Sequence, residues 1–328
     1  MSATQISTDG SGLNMSEIFA PFYWGFIISL FFGGITIVQA YIYFPHPTDR
    51  KHVQIIAATM LVLDLISSAL IAQSLYYYLI PHYGSLAQLN SVTTELNVEC
   101  LISTIITFIS QMYFVFQIYT IKGLGRVARL LIIAITICAA LAFVGGVGCV
   151  SAMIIFHHGV LANRNETFSI FFGLAKGFGT LTDLIATLAM CFFLSSSKTG
   201  ISVQTNGLIK SLIQFAVNRG IVVTLIQTLL LILFYAAPNN LYWLAAHINV
   251  TKLYANTFFA MLNAREHIKQ KYAGSKVVNS SLISNRYISS RLNEDRKFGT
   301  PHHDHAAESR DKSFEMPTVT KSLVVADL

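Results

Sequence analysis

Seven long apolar runs constrain this chain more than anything else in it. They lie at 21–44, 53–80, 98–121, 130–156, 168–194, 208–237 and 241–263, and each holds two Lys, Arg, Asp or Glu at most. A helix needs ~20 apolar residues to cross the ~30 Å hydrocarbon core of a bilayer, so each run has the length of a spanning helix. Composition points the same way. The 328 residues are 53% hydrophobic and only 12% charged, with mean hydropathy +0.56. Soluble domains carry about 25% charged residues, and half that value leaves too little polar surface for water. The fold class expected is all-α: an integral membrane bundle of seven transmembrane helices over 18–265, after an extracytoplasmic segment 1–17 and before a disordered tail 266–328.

The prolines fall outside the interiors of the runs, with Pro45, Pro47, Pro81 and Pro238 marking loops, so helices without proline kinks are expected. Residues 1–17 contain no Lys or Arg and no apolar core of a signal peptide. The first spanning helix is therefore expected to serve as its own targeting signal. Cys100, Cys138, Cys149 and Cys191 all lie in apolar runs, which argues against a disulfide scaffold.

Orientation follows from the positive charges. One set of flanks carries Arg50 and Lys51, then Lys122, Arg126 and Arg129, then Lys198, and then the tail with eleven of the chain's 22 Lys and Arg. The opposite set carries only Arg164. Positive flanks stay in the cytoplasm, so the N-terminus is expected outside and the C-terminus inside, in the plasma membrane or another membrane of the secretory pathway. The sequons at Asn14 and Asn165 fall on the predicted outer side and are the glycosylation candidates. The tail is rich in Ser and in charges of both signs and cannot bury a core. Its cations beside the membrane suit anionic lipid, and its length offers a place for a cytoplasmic partner. Its His302-His303-Asp304-His305 cluster reads as a solvated tract. No metal and no cofactor is expected, and nothing suggests nucleic acid.

Five strongly ionisable residues lie well inside the runs, away from their ends: Asp64, Lys176, Asp183, Arg219 and Lys252. A charge at the bilayer centre costs ~2.5 kcal/mol or more unless it faces the bundle interior and finds a partner. At ~1.5 Å per residue, all but the shallower Lys176 lie near the midplane. In the fifth run Lys176, Thr180, Asp183 and Thr187 form one helical stripe, and in the seventh Asn249, Lys252, Asn256 and Asn263 form another. In the second, Asp64, Ser67, Ser68 and Ser74 share a side. The expected midplane network, ligand-binding or structural, is Asp64, Lys176, Asp183, Arg219, Asn249, Lys252 and Asn256. Lys252 should point at Asp64, Asp183 or both, and the spacing leaves that choice open. The fourth run, almost free of polar residues, should face lipid broadly, with Gly145, Gly146 and Gly148 permitting close helix contact.

The stretch Ala237-Pro238-Asn239-Asn240-Leu241, then Thr251-Lys252-Leu253-Tyr254-Ala255-Asn256-Thr257, then Met261-Leu262-Asn263-Ala264-Arg265 resembles a fungal, basidiomycete multi-span family, the domain-of-unknown-function group DUF6534. Asp183-Leu184-Ile185, Ser197-Lys198-Thr199-Gly200 and Leu63-Asp64 with Leu75-Tyr76-Tyr77-Tyr78 are similar to other parts of it. The resemblance implies a seven-helix membrane domain and no particular activity. Rhodopsin-like receptors fit less well. The third run ends Tyr119-Thr120-Ile121-Lys122-Gly123, without an acidic-Arg pair, and the seventh has no N-P-x-x-Y element. A retinal protein would have the depth of Lys252 for its lysine but no mid-membrane carboxylate on the third helix, since Glu95 and Glu99 fall at its outer end.

No soluble-type catalytic motif accompanies the Ser, His and Asp residues, so an enzyme is not expected. The one enzymatic alternative is a membrane-embedded zinc hydrolase drawing on His82, His157, His158 and His247 with Glu95, Glu99 and Glu166. The seven runs, short loops and Ser-rich tail favour a receptor-like sensor or signalling bundle that takes a small-molecule ligand. A small-molecule or ion transporter or channel is the alternative, motivated by the midplane charges.

Overall fold

The computed structural model describes residues 15–45, 49–82, 92–120, 126–156, 166–196, 203–237 and 240–264, and every regular element among them is helical. The helices are α1 (Met15–Tyr43), α2 (Lys51–Leu79), α3 (Thr94–Thr120), α4 (Arg126–Phe156), α5 (Glu166–Ser196), α6 (Val203–Ala236) and α7 (242–264). Five of them, α1 to α5, carry stretches long and apolar enough to cross a membrane. In α6 the apolar stretch spans Gly220–Ala236. The segment α7 is not among the five, and its His247, Lys252 and three asparagines explain why.

One expectation needs correcting. α1 begins at Met15, so Pro21 lies inside a helix and not at its first residue. The pyrrolidine removes the N–H that would bond the Glu17 carbonyl. The loss falls early enough that the helix continues for 22 residues beyond it.

Side-chain contacts fix the helix directions. Gly25, Phe32 and Gln39 of α1 meet Asn249, Asn256 and Asn263 of α7 in ascending order, so α1 and α7 run parallel. Cys100 and Ser103 of α3 meet His247 and Thr251 of α7. Phe172 and Asp183 of α5 meet Trp243 and Tyr254. Thus α1, α3, α5 and α7 share one direction. The order reverses between α2 and α3 (Ser67 with Glu99, Ser74 with Thr93). It reverses again between α3 and α4 (Thr104 with Gly146, Phe108 with Phe143), and between α5 and α6 (Gly173 with Tyr235, Thr187 with Gly220).

The last helix is the axle of the bundle. From 243 to 264 no residue of α7 is exposed, and its side chains contact α1, α2, α3, α5 and α6. The peripheral helices instead present apolar side chains outward. α4 is the clearest case, with Leu130, Ile133, Ile137, Leu141 and Val144 exposed at helical spacing. Its opposite face carries the glycines. A Cβ on Gly145 would lie 2.7 Å from the Ala175 backbone nitrogen, and one on Gly146 would lie 2.5 Å from the Thr104 side chain. Their missing side chains let α4 lie directly against α5 and α3.

Two apolar clusters divide the interior. One gathers Phe22, Leu75, Phe172, Phe234, Trp243 and Leu244. The other gathers Met60, Ile106, Ala189, Val223, Phe258 and Phe259. Along α2, α5 and α6 several buried polar residues fall between the members of these clusters: Asp64 and Ser67, then Thr182 and Asp183, then Gln227, and on α7 Asn249, Thr251 and Lys252 lie where the two clusters meet. The fold is therefore a polar layer held between two apolar plugs.

Candidate functional site

The polar layer is built around α7. Lys252 is fully buried and donates to the Asp64 side chain (Oδ1, 2.8 Å), to the Asp64 backbone carbonyl (2.7 Å) and to Ser68 Oγ (2.6 Å). An ammonium has three protons, and all three are used. Asp64 is 1% exposed, and its second oxygen, Oδ2, has no hydrogen-bond partner among the described residues. The pair is thus a desolvated, charge-assisted contact between α2 and α7.

Three asparagines one heptad apart bind α7 to α1. The Nδ2 groups of Asn249, Asn256 and Asn263 donate to the backbone carbonyls of Gly25 (3.0 Å), Phe32 (2.9 Å) and Gln39 (2.9 Å). Both partners advance by seven, the repeat of two helices coiling left-handedly about each other. Thr36 donates to Asn256 Oδ1 (3.1 Å). Close approach is possible because residue 25 is glycine: a Cβ there would lie 2.7 Å from Ala245 Cα.

On the α5 and α6 side, Tyr254 donates to Asp183 Oδ2 and accepts from Gln227 Nε2 (2.6 Å). Gln227 Oε1 in turn accepts from Thr180 (3.0 Å). Beside this chain lies a cavity of about 20 Å³, lined by Thr104, Thr107, Gln111, Lys176 and Gln227 together with Phe108 and Phe143. That volume suits about one water molecule. Gln111 Oε1 and Thr107 Oγ1 have no described hydrogen-bond partner, so a water there would meet groups ready to bond it.

Toward the end of the bundle where α3 and α7 begin, Glu99 is completely buried. Its Oε1 accepts from Ser67 (3.1 Å), and its Oε2 lies 3.3 Å from His247 Nε2. Cys100 Sγ is 3.7 Å from the same nitrogen. One step deeper, Ser103 and Thr251 share a hydrogen bond of 2.7 Å between α3 and α7.

Of the residues expected from the sequence, the structure places Asp64, Asn249, Lys252 and Asn256 together on the α1, α2 and α7 side of the layer. Asp183 lies on the α5 side with Tyr254. Lys176 lines the cavity. The side chain of Arg219, the sequons Asn14 and Asn165, and the tail lie outside the described residues. Sequence reasoning named Glu99 only as an outer-end residue and among the donors of an enzymatic zinc site, and it left Tyr254, Gln227, Gln111 and Ser103 out of the midplane network. Glu99 lies near the start of α3, as its sixth residue, and the structure adds that it is fully covered by its neighbours. A signal that could have tied it to α7 is the one-turn spacing of Glu99 and Ser103, matched by that of His247 and Thr251. A Cβ on Gly173 would meet Tyr235 Oη at 2.5 Å, whereas one on Gly177 would meet nothing within 4 Å.

Compared with known proteins, the chain matches one family model, described as a family of unknown function (DUF6534), over residues 179–267. The match begins within α5 and runs through α6 and α7, so it takes in Asp183, Gln227, His247, Lys252 and Tyr254. No curated protein and no solved structure matches the chain.

Proposed function

We propose that this chain, read as a fungal protein of the DUF6534 kind, is a seven-span receptor-like sensor or signalling bundle. In this reading its N-terminus is outside, its C-terminus is cytoplasmic, and it resides in the plasma membrane or another membrane of the secretory pathway. The observation that carries the reading is the fully desolvated Lys252 and Asp64 pair at 2.8 Å, set in a helix that touches five others. A ligand that competes for either charge shifts α7 against all of its neighbours at once, so a local electrostatic event becomes a bundle-wide one. A small molecule with a carboxylate or an amine is the class of ligand that could compete. The tail then offers a cytoplasmic partner a place to read the change.

Transport is the second reading. It is supported by the polar layer and by Lys176 beside a water-sized cavity. Against it, none of the seven helices is interrupted within its described span, whereas transporter sites are commonly built on broken helices. Reconstituted vesicles separate the two. A ligand-induced change in hydrogen exchange along α7 without flux supports the sensor. Saturable flux abolished by Asp183→Asn overturns it.

A further inference from the structure

The three groups at the start of α3 and α7 have the makings of a metal centre. A carboxylate oxygen of Glu99, Cys100 Sγ and a ring nitrogen of His247 all lie within 4.8 Å of one another. Adjacent helical residues point about 100° apart, and His247 of α7 fills the gap between Glu99 and Cys100. Zinc bonds of ~2.0–2.1 Å to nitrogen and oxygen and ~2.3 Å to sulfur place tetrahedral ligand atoms about 3.3 Å (N to O) and about 3.6 Å (S to N) apart. The observed separations are 3.3 Å and 3.7 Å.

Glu99 Oε2 lies 3.3 Å from His247 Nε2, an ion-pair distance at which the two groups are not held by a well-aligned hydrogen bond. Both residues are buried, Glu99 at 0% and His247 at 3% exposed, and Ser67 holds the other carboxylate oxygen in place, as an outer partner of a metal ligand would. His247 Nδ1 has no described partner. The charged groups around the cluster are Lys176 and Lys252. They oppose a bare dication, while one carboxylate and one thiolate balance its two charges.

We propose that Glu99, Cys100 and His247 bind a zinc ion as three protein ligands, leaving a fourth position open to water or an anionic ligand. The tight N and S donor set selects zinc over magnesium or calcium, which take oxygen ligands.

The test uses full-length protein in detergent, carrying His302→Ala, His303→Ala and His305→Ala so that the tail cannot compete. After chelation it is titrated with cobalt(II) as a spectroscopic stand-in for zinc. The expected result is one cobalt per chain with a thiolate-to-cobalt charge-transfer band, displaced by zinc. Cys100→Ser should abolish that band. His247→Gln should weaken binding by at least the ~10–100-fold that loss of even an outer partner causes. No band in the parent protein, or a band unchanged in both variants, overturns the proposal. A measurement without a ligand substitution guards against misfolded variants: zinc should slow alkylation of Cys100, mapped by mass spectrometry, and leave Cys138 and Cys191 unaffected. Equal alkylation with and without zinc also overturns it. None of these readouts depends on signalling or transport.

Discussion

The Lys252 ammonium sits where a charge is most costly, and its three contacts show how the cost is met. Two come from Asp64 itself and one from Ser68, the residue one turn on. Replacing Lys252 with Met leaves the Asp64 carboxylate buried and alone, which should cost ~3–5 kcal/mol. Adding Asp64→Asn should recover much of that, whereas Asp183→Asn should add its own cost independently. Thermal unfolding of singles and doubles in detergent measures this, and simple additivity of Lys252→Met with Asp64→Asn would mean the pair is not energetically coupled. At this scale the sequence was informative about depth and mute about partners. Counting residues placed Asp64 and Lys252 at one level. Helical spacing alone could not choose between Asp64 and Asp183, because that choice depends on which helices neighbour α7. Glu99 was named only as an outer-end residue and a candidate zinc donor, and its place in the polar layer was hidden for a related reason. Its nearness to a helix start reads as interfacial until the neighbours that cover it are known.

At the scale of elements, glycine and asparagine positions set how closely helices approach. Gly25→Leu would drive a side chain into Ala245, and Gly145→Leu would drive one into the α5 backbone at Ala175. Each should cost at least the ~1–3 kcal/mol of an overpacked core. Gly33→Leu, where a Cβ meets nothing within 4 Å, should be nearly silent. Loss of detergent-resistant monomer on heating would rank the three. In the asparagine ladder, interhelical hydrogen bonds in membranes average ~0.6 kcal/mol. Asn263→Leu alone should therefore be mild, and Asn249→Leu, Asn256→Leu and Asn263→Leu together should loosen α1 measurably in hydrogen exchange. Equal protection of α1 in the triple variant would remove the ladder from the account. The sequence showed the asparagine stripe but could not show that its partners are backbone carbonyls, which carry no side-chain signature. The lipid face of α4 was legible because a helix nearly free of polar residues has only one environment available.

For the whole molecule, alternating helix directions place the start of α1 and the end of α7 at opposite faces of the bundle. A reporter fused after Leu328 should be cytoplasmic, and Asn165 should accept glycan in a glycosylating host. Glycan on an acceptor engineered into the tail would reverse the orientation. On the outward face, Ile137→Lys on α4 should oppose insertion by up to ~2.5–3.5 kcal/mol, read as reduced membrane integration in a translation assay. Apolar length alone offered seven runs of spanning length; five helices carry such a stretch in the structure, and the α7 segment is not among them. Its polarity reflects surroundings of protein where the other helices meet lipid, and no window of hydropathy distinguishes those two solvents.

That enclosure of α7 has a consequence for biosynthesis. The ribosome delivers α7 last, yet it is the segment least able to dwell in lipid on its own. Helices α1 to α6 must therefore already stand as an open ring when it emerges, with Asp64, the α1 carbonyls and Asp183 waiting on the inner wall. A chain stopped before Tyr242 would present that wall, with its two carboxylates, to the membrane or to quality control. Completion of the protein is then a single late docking event, and its success is reported by the same contacts that hold the finished bundle.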